Sequence, residues 1–275
     1  MSVLHLDEVD LYYESVGNGN TPLVFIHGYT CDHSDWDTQV KYLIDTCKIV
    51  ICDLRGHGQS TGIDTSGTIE DFSKDVESLM RFLNLQGAVL IGHSMGCRIA
   101  LETYLRNPSS VAGIILIEGS RMGEGDPNAL IASVTKTMEQ IGFQEYTRDS
   151  FAGMFLAKYN TTLKDRIIAR ALKFDPHYGI RVRCNISGWD AAKMEPALTK
   201  LRVPLLVIQS TGLNNNLERY SLKTGDNTSW TDLVKRLVPA AKIEIITGHG
   251  HFIMLEAPDH TCELIISFIE KITQK

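Results

Sequence analysis

Short apolar runs alternate with longer helical patterns through the first half of the chain. Most of the short runs are uniformly apolar, which is typical of strands buried on both faces of a sheet. These strands are predicted at Leu11–Glu14, Leu23–Ile26, Ile49–Cys52, Ala88–Ile91 and Gly113–Ile117. Apolar residues recur at helical spacing over Ile69–Leu83, and Met95–Leu105 is the next predicted helix. Such alternation predicts an α/β fold with a mostly parallel central sheet flanked by helices.

The alternation stops after Glu118 and resumes about eighty residues later. From residue 120 to 200 the pattern is mainly helical and contains no convincing buried strand. The sheet pattern returns at Leu205–Gln209 and Lys242–Ile246, and an amphipathic helix is predicted over Pro258–Ile272.

This interruption predicts two units. Residues 1–119 and 201–275 would form the core domain, and residues 120–200 a helical cap inserted into it, which we call the helical insertion. At that position the insertion would cover the carboxyl ends of the strands, where open α/β proteins bind ligands.

Composition and charge narrow the class of protein. The 275 residues are 43% hydrophobic and 22% charged, with a formal net charge of -6. This balance argues against nucleic acid or an anionic membrane as a partner, because both need clustered Lys and Arg. The six cysteines form no C-x-x-C pair, and the amino-terminal residues do not read as a signal peptide. We therefore expect a cytoplasmic protein with a small-molecule substrate and no metal; a homodimer is left open.

One short motif carries the first chemical signal. Gly92–Gly96 reads G-x-S-x-G, directly after the strand Ala88–Ile91 and directly before a predicted helix. This strand–turn–helix setting is what a nucleophile elbow requires, with glycines that relieve clashes in a sharp turn. Ser94 is therefore the predicted nucleophile, held at a helix amino-terminus that favours developing negative charge.

Three further motifs occur in the order found in a known family. They are His27-Gly28 after an early strand, Asp53–Ser60 with the pattern D-x-R-G-x-G-x-S, and Gly250-His251-Phe252 followed by Glu256 and Pro258. With the elbow, they make the chain resemble an α/β-hydrolase over essentially its full length. The resemblance implies hydrolase chemistry on this fold.

The resemblance also implies the partners of the nucleophile. His251 lies where the family has its general base, with His249 as the rival candidate. The oxyanion would be held by the backbone N–H groups of Met95, after the nucleophile, and of Tyr29. His27 and Gly28 are expected to shape this loop and the substrate site.

The acid of the triad departs from the common pattern. Most relatives have Asp after the strand equivalent to Leu205–Gln209, but the following residues 210–216 include no carboxylate. Glu118 instead ends the preceding strand, an arrangement similar to that of zearalenone-type lactonases and some cofactor-independent dioxygenases. A charged residue that ends an apolar strand needs a partner, and a histidine would supply one. The alternatives are a solvated Glu118 with the role taken by Asp126, Glu218 or Asp226.

The helical insertion is expected to set substrate specificity. It supplies mainly apolar and aromatic side chains: Met138, Phe143, Tyr146, Phe151, Met154, Phe155, Tyr159 and Trp189. Met154, Phe155 and Trp189 are our candidates for substrate contacts, although core packing is the more common role of such residues. Arg121 either meets the substrate or pairs with a surface acid.

The predicted function is hydrolysis of a carboxylic ester or lactone of a small, largely apolar molecule through an acyl-enzyme, without a cofactor. Ser94 would attack, His251 would act as base and Glu118 would orient it. The alternatives are a cofactor-independent dioxygenase or C–C bond hydrolase on the same scaffold, and a non-catalytic small-molecule receptor.

Overall fold

The apolar runs form the centre of one sheet in the computed structural model, which describes residues 2–156, 161–214, 216 and 218–274. The strands are β1 Ser2–His5, β2 Asp10–Val16, β3 Pro22–Ile26, β4 Lys48–Cys52, β5 Ala88–His93, β6 Val111–Ile117, β7 Leu205–Gln209, β8 Thr211–Leu213, β9 Arg219–Ser221 and β10 Lys242–Ile245. Eight of them are hydrogen-bonded in the order β1-β2-β4-β3-β5-β6-β7-β10, and β8 and β9 form a separate hairpin.

The sheet is mostly parallel, which confirms the predicted fold class. Strand β2 runs antiparallel to β1 and β4, and the pairs from β4 to β10 are parallel. Strands β1, β8 and β9 were not predicted from the sequence. Each has only three or four residues, too few to show a period of two, and β1 lies mostly exposed at the edge of the sheet.

Helices cover both faces of the sheet. They are α1 Asp37–Leu43, α2 Ile69–Phe82, α3 Met95–Arg106, α4 Pro127–Ile141, α5 Phe143–Ala152, α6 Thr161–Ala171, α7 Pro176–Thr199, α8 Ser229–Leu237, α9 Ile253–Glu256 and α10 Pro258–Thr273. None of these helices combines the length and the apolar character needed to cross a membrane.

Burial on both faces explains the uniformly apolar strands. Successive side chains of a strand point to opposite faces. In β3, Leu23 and Phe25 pack into the core shared with α1 and α10, whereas Val24 and Ile26 pack into the core shared with α2, α3 and α7. Every position in β3 therefore has to be apolar.

The helical insertion follows β6 and ends before β7. Its described residues form α4, α5, α6 and α7 and contain no strand, as expected. Helix α7 is 24 residues long and packs against α4 and against α3 of the core. The insertion is thus attached to the helix that begins at the predicted nucleophile, while its status as a separate domain stays a prediction.

Candidate active site

Ser94 stands in the sharp turn between β5 and α3. Its backbone has φ 54° and ψ −110°, and its N–H donates to the Ile117 carbonyl at 3.0 Å. A Cβ on Gly92 would lie 2.2 Å from the Gly96 oxygen, and a Cβ on Gly96 would lie 2.2 Å from the Ile26 oxygen. The two glycines of the motif are therefore required by close backbone approach, as an elbow demands.

Unfavourable backbone torsions concentrate around this turn. Among the described residues, the non-glycine positions with positive φ are Thr30, Asn84, Ser94 and Glu118. Ser94 and Glu118 are candidate catalytic residues, and Thr30 follows the candidate oxyanion residue Tyr29. Each such torsion costs free energy that the surrounding structure must offset, and such residues cluster at functional sites.

Glu118 and His251 meet at the carboxyl edge of the sheet. Glu118 follows β6, and His251 lies in the loop after β10. Both side chains are almost fully buried, and the Glu118 Oε2 atom lies 3.1 Å from His251 Nδ1. Because a carboxylate accepts, Nδ1 carries the proton and the lone pair lies on Nε2, which is the tautomer that a general base needs.

Several donors hold the Glu118 carboxylate in place. Oε1 accepts from the N–H groups of Ser210 and Thr211, and Oε2 accepts from the Thr211 hydroxyl. Arg219 Nη1 lies 3.7 Å from Oε2. Burial raises the pKa of Glu118, and the Arg219 charge and these hydrogen bonds oppose that rise. Because every donor here binds the charged form, the carboxylate is oriented as an anion toward His251.

The surroundings of His251 keep its ring neutral. Burial lowers the pKa of His251 well below its ordinary value, and the positive charges of Arg219 and Arg98 lower it further. Arg219 Nη2 lies 3.4 Å from His251 Nε2. The backbone is also fixed, because the His251 carbonyl accepts from His93 Nε2 at 2.9 Å and its N–H donates to Met154 at 2.8 Å.

The backbone around Ser94 offers two unused donors. The N–H groups of Tyr29 and Met95 have no hydrogen-bond partner in the described part of the chain, and both residues line the same cavity as Ser94. The chain comes close here because Gly28 has no side chain, and a Cβ there would lie 3.0 Å from His93 Nδ1. Two such N–H groups at one cavity are chemically able to stabilise an oxyanion, and this role stays a prediction.

A cavity of about 700 Å³ opens beside Ser94. This size is in the range of small-molecule sites. Much of the wall comes from the helical insertion and the segment leading into it: Met122, Tyr146, Phe151, Met154, Phe155 and Ile186. Met154 and Phe155 thus stand where substrate contacts were expected, whereas Tyr159 is outside the described residues.

The rival carboxylates form no hydrogen bond or ion pair with His251 among the described residues. Glu218 is exposed at the cavity wall and accepts from Asn214 Nδ2 at 2.8 Å, and the Asn214 side chain bonds Glu218 and Asn216. Asp126 is exposed and caps α4, and Asp226 is exposed and accepts a backbone N–H in a turn. Glu118 is therefore the carboxylate that the fold brings to the histidine.

The rival histidine also lies outside this arrangement. His249 is partly exposed, and its ring has no hydrogen-bond partner within the described residues. It contributes its carbonyl, which accepts from the Ser210 hydroxyl at 2.7 Å. The loop therefore turns His251, and not His249, toward Glu118.

Two residues expected to bind substrate lie away from the cavity. Trp189 is buried in the core on α7, and its Nε1 donates to Glu102 Oε2 at 3.1 Å. Arg121 Nη1 is 3.0 Å from Glu124 and 2.8 Å from Glu195, so this side chain pairs with acids near the surface. Both expectations need correction, because core packing and ion pairing take up these side chains.

His27 and Gly28, which were expected to bind substrate, have a structural role instead. His27 is fully buried; its Nδ1 donates to the Gly28 carbonyl at 2.8 Å, and its Nε2 accepts from the Leu54 N–H at 3.0 Å. Neither residue lines the cavity. They fix the oxyanion loop and do not contact the substrate space, which corrects their assignment as substrate-binding residues.

Three arginines at the cavity were missed by sequence reasoning. Arg98 and Arg183 lie on α3 and α7, and Arg219 begins the short strand β9; all three line the cavity. No motif includes them, although Arg98 stands two residues after the Gly92–Gly96 motif. For Arg183 the one available signal was the helical periodicity, which places this residue next to buried positions. That pattern does not tell whether an arginine side chain is buried or exposed.

Comparisons with known proteins identify the family of the chain. The model of the Alpha/beta hydrolase family matches residues 23–263. A non-heme chloroperoxidase, CPO-A1 of Kitasatospora aureofaciens, is 35% identical over 269 residues, which cover 92% of each chain. A bifunctional esterase/perhydrolase of Acinetobacter calcoaceticus is 26% identical over 74% of this chain and 78% of its own length. Another curated relative is longer, and the chain spans 66% of its length.

Solved structures share the whole architecture. Est816, an N-acyl homoserine lactone degrading enzyme, superimposes with a TM-score of 0.80 at 23% sequence identity, covering 97% of this chain and 100% of its own. At this identity the likeness concerns the fold.

Proposed function

The chain belongs to the alpha/beta hydrolase family, and from this premise we propose that it is a serine hydrolase that cleaves a carboxylic ester or lactone of a small molecule. One observation carries the proposal: buried Glu118 bonds His251 Nδ1 at 3.1 Å, and Ser94 is held in a strained elbow at the wall of a cavity that Arg219, the neighbour of His251, also lines. A binding protein has no need of this combination.

The geometry suggests the following mechanism. His251 takes the proton of Ser94 as its oxygen attacks the carbonyl carbon, and the Tyr29 and Met95 N–H groups hold the oxyanion. The imidazolium then gives its proton to the leaving alcohol. Glu118 stabilises the imidazolium throughout. Water, activated by His251, releases the acid and restores Ser94.

The relatives support ester and lactone bonds as targets. The name of one relative includes esterase, and one structural neighbour degrades N-acyl homoserine lactones. Both bonds react through the same tetrahedral intermediate, so one site of this design suits either. The six cysteines are all buried and free, which fits the cytoplasmic location that we propose.

The experiment combines covalent labelling with a substrate panel. We expect a fluorophosphonate probe to label wild-type protein on Ser94 and to leave Ser94→Ala unlabelled. We also expect turnover of p-nitrophenyl esters of two to eight carbons or of simple lactones. Oxygen uptake with a heteroaromatic substrate in Ser94→Ala would favour the dioxygenase alternative instead, and tight ligand binding without turnover would favour a receptor.

A further inference from the structure

Arg183 is a buried arginine that faces the same cavity as Ser94. It lies on α7, and 6% of the residue is exposed. Its Nε donates to the Tyr146 hydroxyl at 3.0 Å, and its Nη1 donates to the Ser187 hydroxyl at 2.8 Å. Both partners are neutral, and no carboxylate pairs with Arg183 in the part of the chain that the structure describes.

The other arginines of the cavity have their charge compensated. Arg98 forms a bidentate ion pair with Asp190, with Nε 2.8 Å from Oδ1 and Nη2 2.6 Å from Oδ2. Arg219 Nη1 lies 3.7 Å from Glu118 Oε2. Two carboxylates of the cavity wall, Asp149 and Glu218, are exposed and pair with no arginine among the residues that the structure describes. A buried charge without a counter-charge is costly, so the position of Arg183 calls for an anion from the cavity.

The free edge of the guanidinium suits a carboxylate. Its two bonds to Tyr146 and Ser187 use the Nε hydrogen and one Nη1 hydrogen. The second Nη1 hydrogen and both Nη2 hydrogens have no partner among the described residues. These hydrogens lie in one plane as a fork, which matches the two oxygens of a carboxylate, and the existing bonds hold the fork in position.

We propose that Arg183 binds a carboxylate of the substrate, so that the preferred substrate is an ester or lactone that carries a free carboxylate away from the bond to be cleaved. The inference deepens the proposed function and rests on it, because Ser94 and Arg183 share one cavity. It also refines the expectation of a largely apolar substrate. The rest of the cavity wall is mostly apolar, so the substrate is expected to be apolar apart from this carboxylate and the bond to be cleaved.

The test compares two esters that differ by one charge. Mono-p-nitrophenyl glutarate and p-nitrophenyl pentanoate have acyl chains of equal length, and only the first ends in a carboxylate. We expect wild-type kcat/KM to favour the glutarate ester by about 10- to 100-fold, the usual effect of a hydrogen bond to a charged group. Arg183→Gln should abolish this ratio, and Arg183→Lys should keep part of it.

The matched control is Arg181→Gln, on the same helix but exposed, with its Nη2 bonded to the Ile63 carbonyl. It should keep the wild-type ratio. A wild-type ratio near one, or a ratio that survives in Arg183→Gln, would overturn the inference while ester turnover itself would still support the proposed function.

If wild-type protein cleaves neither ester, binding decides the inference, and the proposed function fails if simple lactones are not cleaved either. Monomethyl glutarate is then titrated into wild-type protein and Arg183→Gln by calorimetry. We expect at least about tenfold weaker binding in the variant. Equal dissociation constants, or no binding to wild-type protein, would overturn the inference.

Discussion

At the scale of single residues, the protonation state of His251 is set by the charged groups that lie next to its ring. Glu118 accepts from His251 Nδ1, so the lone pair of the ring lies on Nε2. Arg219 Nη2 lies 3.4 Å from Nε2 and adds a positive charge on that side of the ring. The result is a neutral ring in the tautomer that the proposed base needs.

Ser94→Ala should lower ester turnover by roughly 10⁴- to 10⁶-fold, because a triad nucleophile has no substitute. His251→Ala should match this loss, since the two residues act as a unit, whereas His249→Ala should stay within a few fold. The measurement is kcat on a p-nitrophenyl ester, with circular dichroism to verify folding. If Ser94→Ala keeps most of the kcat of the wild-type protein, the acyl-enzyme mechanism is wrong.

Glu118→Gln should lower kcat by roughly 10²- to 10⁴-fold, since the amide cannot stabilise the imidazolium and can favour the wrong tautomer. Glu218→Gln is the matched control and should change kcat little, because Glu218 is exposed and bonds Asn214. Comparable losses in the two variants would transfer the role of the acid away from Glu118.

The pH profile of kcat/KM should report the charge of Arg219. In the proposed mechanism the neutral ring of His251 is the active form, and burial and two positive charges lower the pKa of this ring. Activity should therefore persist as the pH falls through about 6.5, the ordinary histidine value, and decline only below it. Arg219→Met removes a positive charge, so the pKa should rise and the acid limb should move to higher pH. An unchanged limb would show that Arg219 has no electrostatic effect on His251.

At the scale of elements, a buried ion pair joins the helix after the nucleophile to the helical insertion. Arg98 on α3 and Asp190 on α7 are both almost fully buried and form two hydrogen bonds. Arg98 also donates to the Ser94 carbonyl at 3.0 Å, and Asp190 accepts from the Met122 N–H. The pair fixes the insertion relative to the elbow.

Asp190→Asn should therefore lower the free energy of unfolding by about 3–5 kcal/mol, because it leaves the Arg98 charge buried without a counter-charge. The double variant Arg98→Met, Asp190→Leu should recover much of that loss. Urea unfolding measures both, with the exposed Asp226→Asn as control. If Asp190→Asn lowers the free energy of unfolding by less than about 1 kcal/mol, the Arg98 charge has found another partner in the variant.

At the scale of the whole molecule, the cavity lies between the carboxyl edge of the sheet and the helical insertion. The sheet side supplies Ser94 and the N–H groups of Tyr29 and Met95, and the insertion supplies most of the apolar wall. Under the proposed function, chemistry and specificity are therefore expected to come from different parts of the chain. Changes in the insertion should alter which substrate fits and leave the reaction itself intact.

Ile186→Phe should narrow the cavity from the side of α7, where Ile186 is almost fully buried. We expect kcat/KM for p-nitrophenyl octanoate to fall by about tenfold or more, because the narrower cavity has less room for the methylene groups of a long acyl chain. The loss of kcat/KM for p-nitrophenyl acetate should be small, because the acetyl group is short. Ile63→Phe, at an exposed position, is the control. Equal losses on both esters would argue that the acyl chain does not lie against α7.

Local sequence determined the elements that have a strong period or a fixed motif. The buried strands need apolar residues on both faces, so β3 to β7 could be predicted within a few residues. The elbow could be predicted because its glycines are required by backbone contacts. The pairing of Glu118 with His251 was expected from the resemblance to the family, supported by the rule that parallel strands end at one edge of the sheet.

Tertiary structure alone decided which side chains face the cavity. Trp189 and Arg183 lie on one helix six residues apart, yet Trp189 packs into the core beside Glu102, whereas Arg183 faces the substrate space. Arg219 reaches His251 from a three-residue strand that has no period to detect. These contacts depend on how α7 and the β8–β9 hairpin pack against the sheet. That packing is set by long-range contacts between distant segments, which local sequence patterns do not record.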